Sequence, residues 1–219
     1  MVATGRAAGA VQTGGPLDEG NTWGGPVAIL PGAGGGLGKG PHKARRPIIE
    51  AEGRLITAID YGSWHCGGHA SGLLSIDANA DLLCAENWQC TPFCAYDPAW
   101  PGAPEGDHRG GLEGNAVMDK DGSLYNFLRC QMSKGTPAFG KALVLKGDIN
   151  APEAPLVFSH FADFNGGSNS KFDLLFDDVS EKYWAIVSEI VDPAIPDARN
   201  VLSLAVADDL HSFRLAERL

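Results

Sequence analysis

Three arginines are the side chains in this sequence best suited to gripping an anion. Arg45 stands just before the apolar pair at 48–49, Arg129 ends a strand-like run, and Arg199 begins another. A guanidinium presents a planar fork that matches a carboxylate with paired, charge-assisted hydrogen bonds, so three of them from separate elements could hold one carboxylate from several sides. The chain carries 17 Lys+Arg against 27 Asp+Glu, a net charge of −10, so any such cluster is local and the broad basic surface of a nucleic-acid binder is missing. Taken singly, each arginine reads equally well as an ordinary solvated or salt-bridged side chain. Cys66, Cys84, Cys90, Cys94 and Cys130 form no CxxC pair. With His65 and His69 they read as small buried thiols and loop histidines, so no metal and no cofactor is expected. The run Gly34–Gly38 lacks the Gly-Lys-Ser/Thr ending of a phosphate loop and reads as a flexible loop.

What could bring distant arginines together is the repeat. Residues 48–59 read as strand, turn at Glu52-Gly53, strand; residues 117–128 repeat this around Asp121-Gly122, and residues 174–187 repeat it near Ser180-Glu181. The turns are 69 and then 59 residues apart, and a second apolar element leading to an aromatic follows the first (Leu73–Leu82, Trp88) and the third (Leu202–Leu210, Phe213). Short apolar runs in a chain with 29 Gly and 14 Pro exclude a helical bundle and predict an all-β fold. A four-stranded unit at this period is a β-propeller blade, whose inner strands converge on a common axis. The expected organisation is a Gly/Ala-rich N-terminal segment, 1–40, with a remnant strand at Pro26–Leu30, then a partial propeller, 41–219, with blades at approximately 41–95, 112–160 and 171–213. Closed propellers have about four to eight blades, so these three and a half predict a partial chain that associates through open sheet edges. No apolar run approaches the ~18 residues of a membrane span. The first twenty residues lack the apolar core of an export signal.

Several segments of 41–219 resemble the sialidase (neuraminidase) superfamily. Ala44-Arg45-Arg46-Pro47 before Glu52–Ala58 is similar to that family's Phe-Arg-Ile-Pro segment, with Ala44 and Arg46 as departures. Glu113 through Asp121-Gly122-Ser123-Leu124 to Arg129 resembles its Glu, Asp-Gly-x-Leu, Arg segment, and Arg199 followed by Val206–Asp209 resembles the third arginine with a degenerate Asp-box. Ser75-Ile76-Asp77 with Trp88 resembles another Asp-box. The resemblance implies a six-bladed, usually exported exo-α-sialidase-like glycosidase acting on glycans that end in acidic sugars. In it Arg45, Arg129 and Arg199 would bind the substrate carboxylate, and Glu113 would be the base paired with a nucleophilic tyrosine. Two departures count against a complete enzyme: no Tyr follows Arg199, and no Asp lies between Tyr61 and Ser75, with Asp60 and Asp77 on either side of that gap. Two other functions stay open, a propeller glycosidase using a carboxylate pair on neutral glycans and a non-catalytic carbohydrate-binding propeller.

Overall fold

The structure is a computed structural model that describes residues 2–4, 10–15, 18, 21–32, 40–42, 47–63, 68–106, 108–132, 140–165, 170–192, 194–195 and 198–219. Arg45, His65, Cys66 and the Gly34–Gly38 run lie outside them. Among the described residues the fold is all-β save for one 3-10 turn at Ala85–Asn87, with seventeen strands in four antiparallel sheets. An N-terminal sheet holds β1 (Val2–Thr4), β2 (Val11–Thr13) and β3 (Val27–Leu30). It is more than the single remnant strand expected from the sequence. Its first two strands are three residues each, too short for a hydrophobic period to register.

Blade 1 comprises β4 (Gly40–His42), β5 (Ile49–Ala51), β6 (Arg54–Ser63), β7 (Gly68–Asp77), β8 (Gln89–Cys90) and β9 (Cys94–Ala95). Its first strand is interrupted, β4 and β5 both pairing with β6, and so is its last, β8 and β9 both pairing with β7. Blade 2 is the meander β10 (His108–Met118), β11 (Leu124–Met132), β12 (Lys141–Gly147) and β13 (Val157–Asp163). Blade 3 is the meander β14 (Phe172–Asp177), β15 (Lys182–Ser188), β16 (Leu202–Ala207) and β17 (Arg214–Arg218), which carries the last strand beyond Phe213. Arg199 therefore sits in the connection ahead of β16 rather than on a strand.

The hairpins turn where their residues allow. Glu52 (φ 47°) and Gly53 (φ 70°) are both left-handed, which joins β5 to β6 by a two-residue turn whose twist matches the strands. At the second hairpin the Asp119 carbonyl accepts from Gly122 N–H at 2.9 Å with Gly122 at φ 81°. At the third, Ser180 N–H donates to the Asp177 carboxylate at 3.0 Å and Glu181 takes φ 54°.

The sheets stack face to face in chain order, and three apolar layers lie between them. Val11 and Ile29 meet Ile59 and Leu74 between the N-terminal sheet and blade 1. Ile56, Ala58 and Leu73 meet Ala116, Leu128 and Leu143 between blades 1 and 2. Phe127, Val144 and Phe164 meet Phe172, Leu174 and Tyr183 between blades 2 and 3. Because side chains alternate across a strand, Phe127 faces blade 3 while its neighbour Leu128 faces blade 1, and both are fully buried. Two buried polar side chains are paired across the junction of blades 2 and 3. The Asn115 side chain accepts from Leu174 N–H (3.3 Å) and donates to the Phe172 carbonyl (3.5 Å), imitating a strand. Tyr183 donates its hydroxyl to the Asp119 carboxylate and accepts from Lys120 N–H at 3.2 Å; burial and then that carboxylate raise its pKa above the usual phenol value.

Phe127 is the centre of an aromatic knot, with ring centroids 5.3 Å from Phe164, 5.7 Å from Phe172 and 5.5 Å from Phe213. Phe127→Ala should cost about 3–5 kcal/mol, read as a shift of the urea midpoint. A loss below about 1 kcal/mol would mean that blade 3 is not held by this layer.

Candidate active site

Glu113 owes its position to a defect in β10. Leu112 pairs with Arg129 and Asn115 with Phe127, so Glu113 and Gly114 together oppose the single residue Leu128. This is a β-bulge, which twists a strand locally and re-aims a side chain. Glu113 itself takes φ 53°, a conformation costly for a residue with a Cβ and one that persists only where surrounding contacts hold it. Gly114 is required beside it, since a Cβ there would come within 1.9 Å of Asn126 Oδ1. Gly110 (φ 95°) likewise lets β10 close on blade 1, because a Cβ would lie 2.3 Å from the His69 carbonyl oxygen.

Three parts of the chain hold the strained residue. From blade 1, the Asp60 carboxylate accepts Glu113 N–H at 2.9 Å. From blade 2, Arg129 Nε lies 2.7 Å from Glu113 Oε2, with the two side chains 4% and 12% exposed. From the approach to blade 3, Lys171 Nζ lies 3.0 Å from Glu113 Oε1, with its side chain 58% exposed. The carboxylate is thus clamped between a sealed guanidinium and an ammonium that solvent reaches.

Asp60 is itself buried, and burial raises its carboxyl above the usual range, against the lowering effect of His42 and its hydrogen bonds. The Ser71 hydroxyl lies against Asp60 and also within 3.2 Å of the Gly111 carbonyl. One hydroxyl proton serves one acceptor, so with a proton on Asp60 the bonds run from Asp60 to Ser71 and from Ser71 to Gly111. His42, paired with Asp60 across β4 and β6, meets the His69 ring edge-on at 5.3 Å. Burial, then the positive fields of His42 and Arg129, push His69 down to about 4, so its imidazole is neutral at pH 7.

Of the residues singled out from the sequence, Glu113 and Arg129 meet, Arg199 is exposed in the loop before β16, and Arg45 is outside the described residues. In the sequence Asp60 is named only as an acid beside the gap where one is expected, and Ser71, His42 and Lys171 are not singled out at all. Asp60 left a trace, the one charged residue in the run Leu55–Tyr61; Lys171 left none. The described cavities are elsewhere, at the hairpin end of the strands, the larger about 360 Å³ and lined by Gly122, Lys146, Asp148 and Asn150.

Removing one member of a buried ion pair strands the other. Glu113→Gln should therefore cost about 3 kcal/mol, and the double variant Glu113→Gln with Arg129→Met should recover part of that loss in urea melts. No recovery would mean that the pair is not coupled. The His69 shift has a definite sign as well. Below 6.5 the unfolded chain takes up a proton that the folded chain refuses until about 4, so stability is lost as pH falls through that window, at up to about 1.4 kcal/mol per pH unit. Asp60 acts oppositely, its folded state favouring the proton, so its contribution falls as pH rises above 3.8. His69→Gln should flatten the melting temperature between pH 6.5 and 4, and an unchanged profile would exclude His69 as its source.

No protein-family model and no curated protein sequence matches the chain. Solved structures do. An ulvan lyase of polysaccharide lyase family PL25 superposes with TM-score 0.55 at 13% identity, over 98% of this chain and 51% of its own; it has also been solved bound to -[GlcA(1-4)Rha3S]-. An N-acetylgalactosamine deacetylase from F. plautii, in complex with blood group B trisaccharide, gives TM-score 0.52 at 11% identity over 94% and 59% of the two chains. A GH43 endo-arabinanase from Bacillus licheniformis gives 0.51 at 14% over 99% and 74%. None of these three is a sialidase. At such identities the likeness is one of fold, that of a partial β-propeller, and the chain spans about half the length of the ulvan lyase.

Proposed function

We propose that this chain forms part of a carbohydrate-active propeller that cleaves acidic glycans, with the sugar carboxylate recognised at the Glu113 cluster. The observation that carries this reading is the Glu113 carboxylate held between Arg129 and Lys171 where three blades meet. The fold it shares with enzymes named for glycan substrates supports it. Lys171 is the cation that an incoming carboxylate reaches, while Arg129 is sealed and fixes Glu113. In the sialidase-type form of the reaction, Arg45 and Arg199 complete the carboxylate grip and Glu113 acts as the base for a nucleophile supplied from outside the residues assembled here.

A second route stands beside hydrolysis, elimination from a uronate. A uronate whose carboxylate is held by cations has an acidic hydrogen on the adjacent carbon. A base takes that proton, the electron pair expels the glycosidic oxygen, and an acid protonates the leaving oxygen, so that an unsaturated sugar remains. The ulvan lyase, a fold relative named as a polysaccharide lyase and solved with a glucuronate-containing ligand, makes this route testable beside hydrolysis.

The test offers three substrates to the protein: a sialylated oligosaccharide, a glucuronate-containing polymer and neutral arabinan. Release of sialic acid marks the first route and an ultraviolet-absorbing unsaturated product the second. Titration with the free acidic sugars should show Lys171→Ala weakening binding about 10- to 150-fold, the loss of one charge-assisted bond. Turnover of arabinan alone, or equal binding by wild type and Lys171→Ala, would remove the acidic-glycan reading.

A further inference from the structure

One turn fastens blade 3 to the outer strand of blade 2. The segment Asp208–Phe213, between β16 and β17, lies along the end of β13. There Asp163 N–H donates to the His211 carbonyl at 2.8 Å, and Phe213 N–H donates to the Asp163 carbonyl at 2.9 Å. Within the turn the Asp209 carboxylate accepts from His211 N–H at 2.8 Å and from Ser212 N–H at 3.1 Å. Leu210 and Phe213 of this turn are buried in the layer between the blades, the Phe213 ring 5.0 Å from Phe164.

Two imidazoles close the contact. His160 of β13 and His211 of the turn stack with ring centroids 3.9 Å apart and planes 21° from parallel. The Leu210 carbonyl, 3.0 Å from His160 Nε2, can only accept, so that nitrogen carries the hydrogen. Nδ1, 2.9 Å from the Ser159 hydroxyl, is then the acceptor and the atom at which a second proton enters. Neutral rings stack without repulsion, whereas a proton on each sets two like charges face to face. Two acids oppose this by favouring a proton on His160: Asp209 in the same turn and Asp119 at the turn between β10 and β11. The other charged groups nearby are engaged elsewhere. Asp208 pairs with Lys182, its carbonyl accepts from Lys120 Nζ, and Asp163 pairs with Lys141. Burial, helped by the field of His211, outweighs the two acids and holds His160 below the usual imidazole value.

We propose that the His160–His211 stack is a proton-sensitive latch: at neutral pH it holds the Asp208–Phe213 turn on blade 2, and on acidification the charged rings part and the turn lifts from the end of β13. The closed turn refuses a proton that the open turn accepts at the usual 6.5, so closure weakens as pH falls below that value, by up to about tenfold per pH unit for one proton. The latch is independent of the reaction carried out at the Glu113 cluster.

Hydrogen exchange on the 219-residue chain tests it, read as protection factors so that the intrinsic pH dependence of exchange cancels. Between pH 7 and pH 5, protection of the Asp163 and Phe213 amides should fall about tenfold. His160→Gln keeps an amide that donates to Leu210 and takes no proton, and His211→Asn removes the second charge. Each should hold those two amides constant within about twofold, while the central strand β15 exchanges as in wild type. In wild type the His160 ring should titrate below 6.5 by NMR, and His211→Asn should move it towards 6.5. Equal protection of Asp163 and Phe213 at both pH values, the same loss in both variants, or a His160 titration that His211→Asn leaves in place would overturn the latch.

Discussion

The arrangement depends on the carboxylate of Asp60 finding its donors in another blade. An acid buried between two sheets is expensive unless each oxygen is hydrogen-bonded, and Asp60 reaches across to Glu113 N–H while Ser71 lies against its other oxygen. That bond requires the backbone of β10 to turn outward at Glu113, which is what the bulge and the left-handed φ of 53° accomplish. The same turn swings the Glu113 carboxylate onto Arg129 and Lys171. Strain at Glu113, burial of Asp60 and the ion pair are thus one construction. Gly110 and Gly114 supply the close approach that it needs.

The electrostatics of the cluster follow from how each group is buried. Asp60 has lost water and gained few compensating charges, so it favours its proton. His69 has lost water in a positive field, so it refuses one. Within a few residues the site therefore holds an acid that retains a proton unusually well and a base that stays unprotonated. Lys171 adds a cation that solvent reaches to the same carboxylate that Arg129 holds.

Stacked sheets also explain why the site sits at a blade junction. A face-to-face stack buries large apolar layers, yet every strand brings backbone and polar side chains that must be matched with the neighbouring blade. Asp60 does this between blades 1 and 2, and Asn115 and Tyr183 between blades 2 and 3, each pairing with main chain or a carboxylate of the adjoining blade. Where the matched group is charged, the junction gains a field that a ligand can use. A substitution in the cluster therefore acts on the packing of the blades as well as on the charge it removes.

The sequence by itself determined the hairpins and their grouping. Glu52-Gly53 and Asp121-Gly122 are legible because a tight turn needs left-handed residues at fixed places, and Leu174–Val187 because two short apolar runs flank a polar turn near Ser180-Glu181 as in the other two hairpins. Arg129 stood out for ending the second hairpin and Glu113 through the resemblance to the sialidase superfamily, and the two meet. Tertiary structure decided the rest. The bulge at Glu113 is a mismatch between two strands and has no pattern within either one. Asp60 reads as a stray acid in an apolar strand until blade 2 supplies its donor, 53 residues later in the chain. Lys171 joins the cluster because of where the approach to blade 3 passes, and Arg199, singled out alongside Arg129, is left in an exposed loop. Local periodicity fixes which way a side chain points from its own strand; which partner it finds there depends on how separate sheets stack, and that is a property of the whole chain.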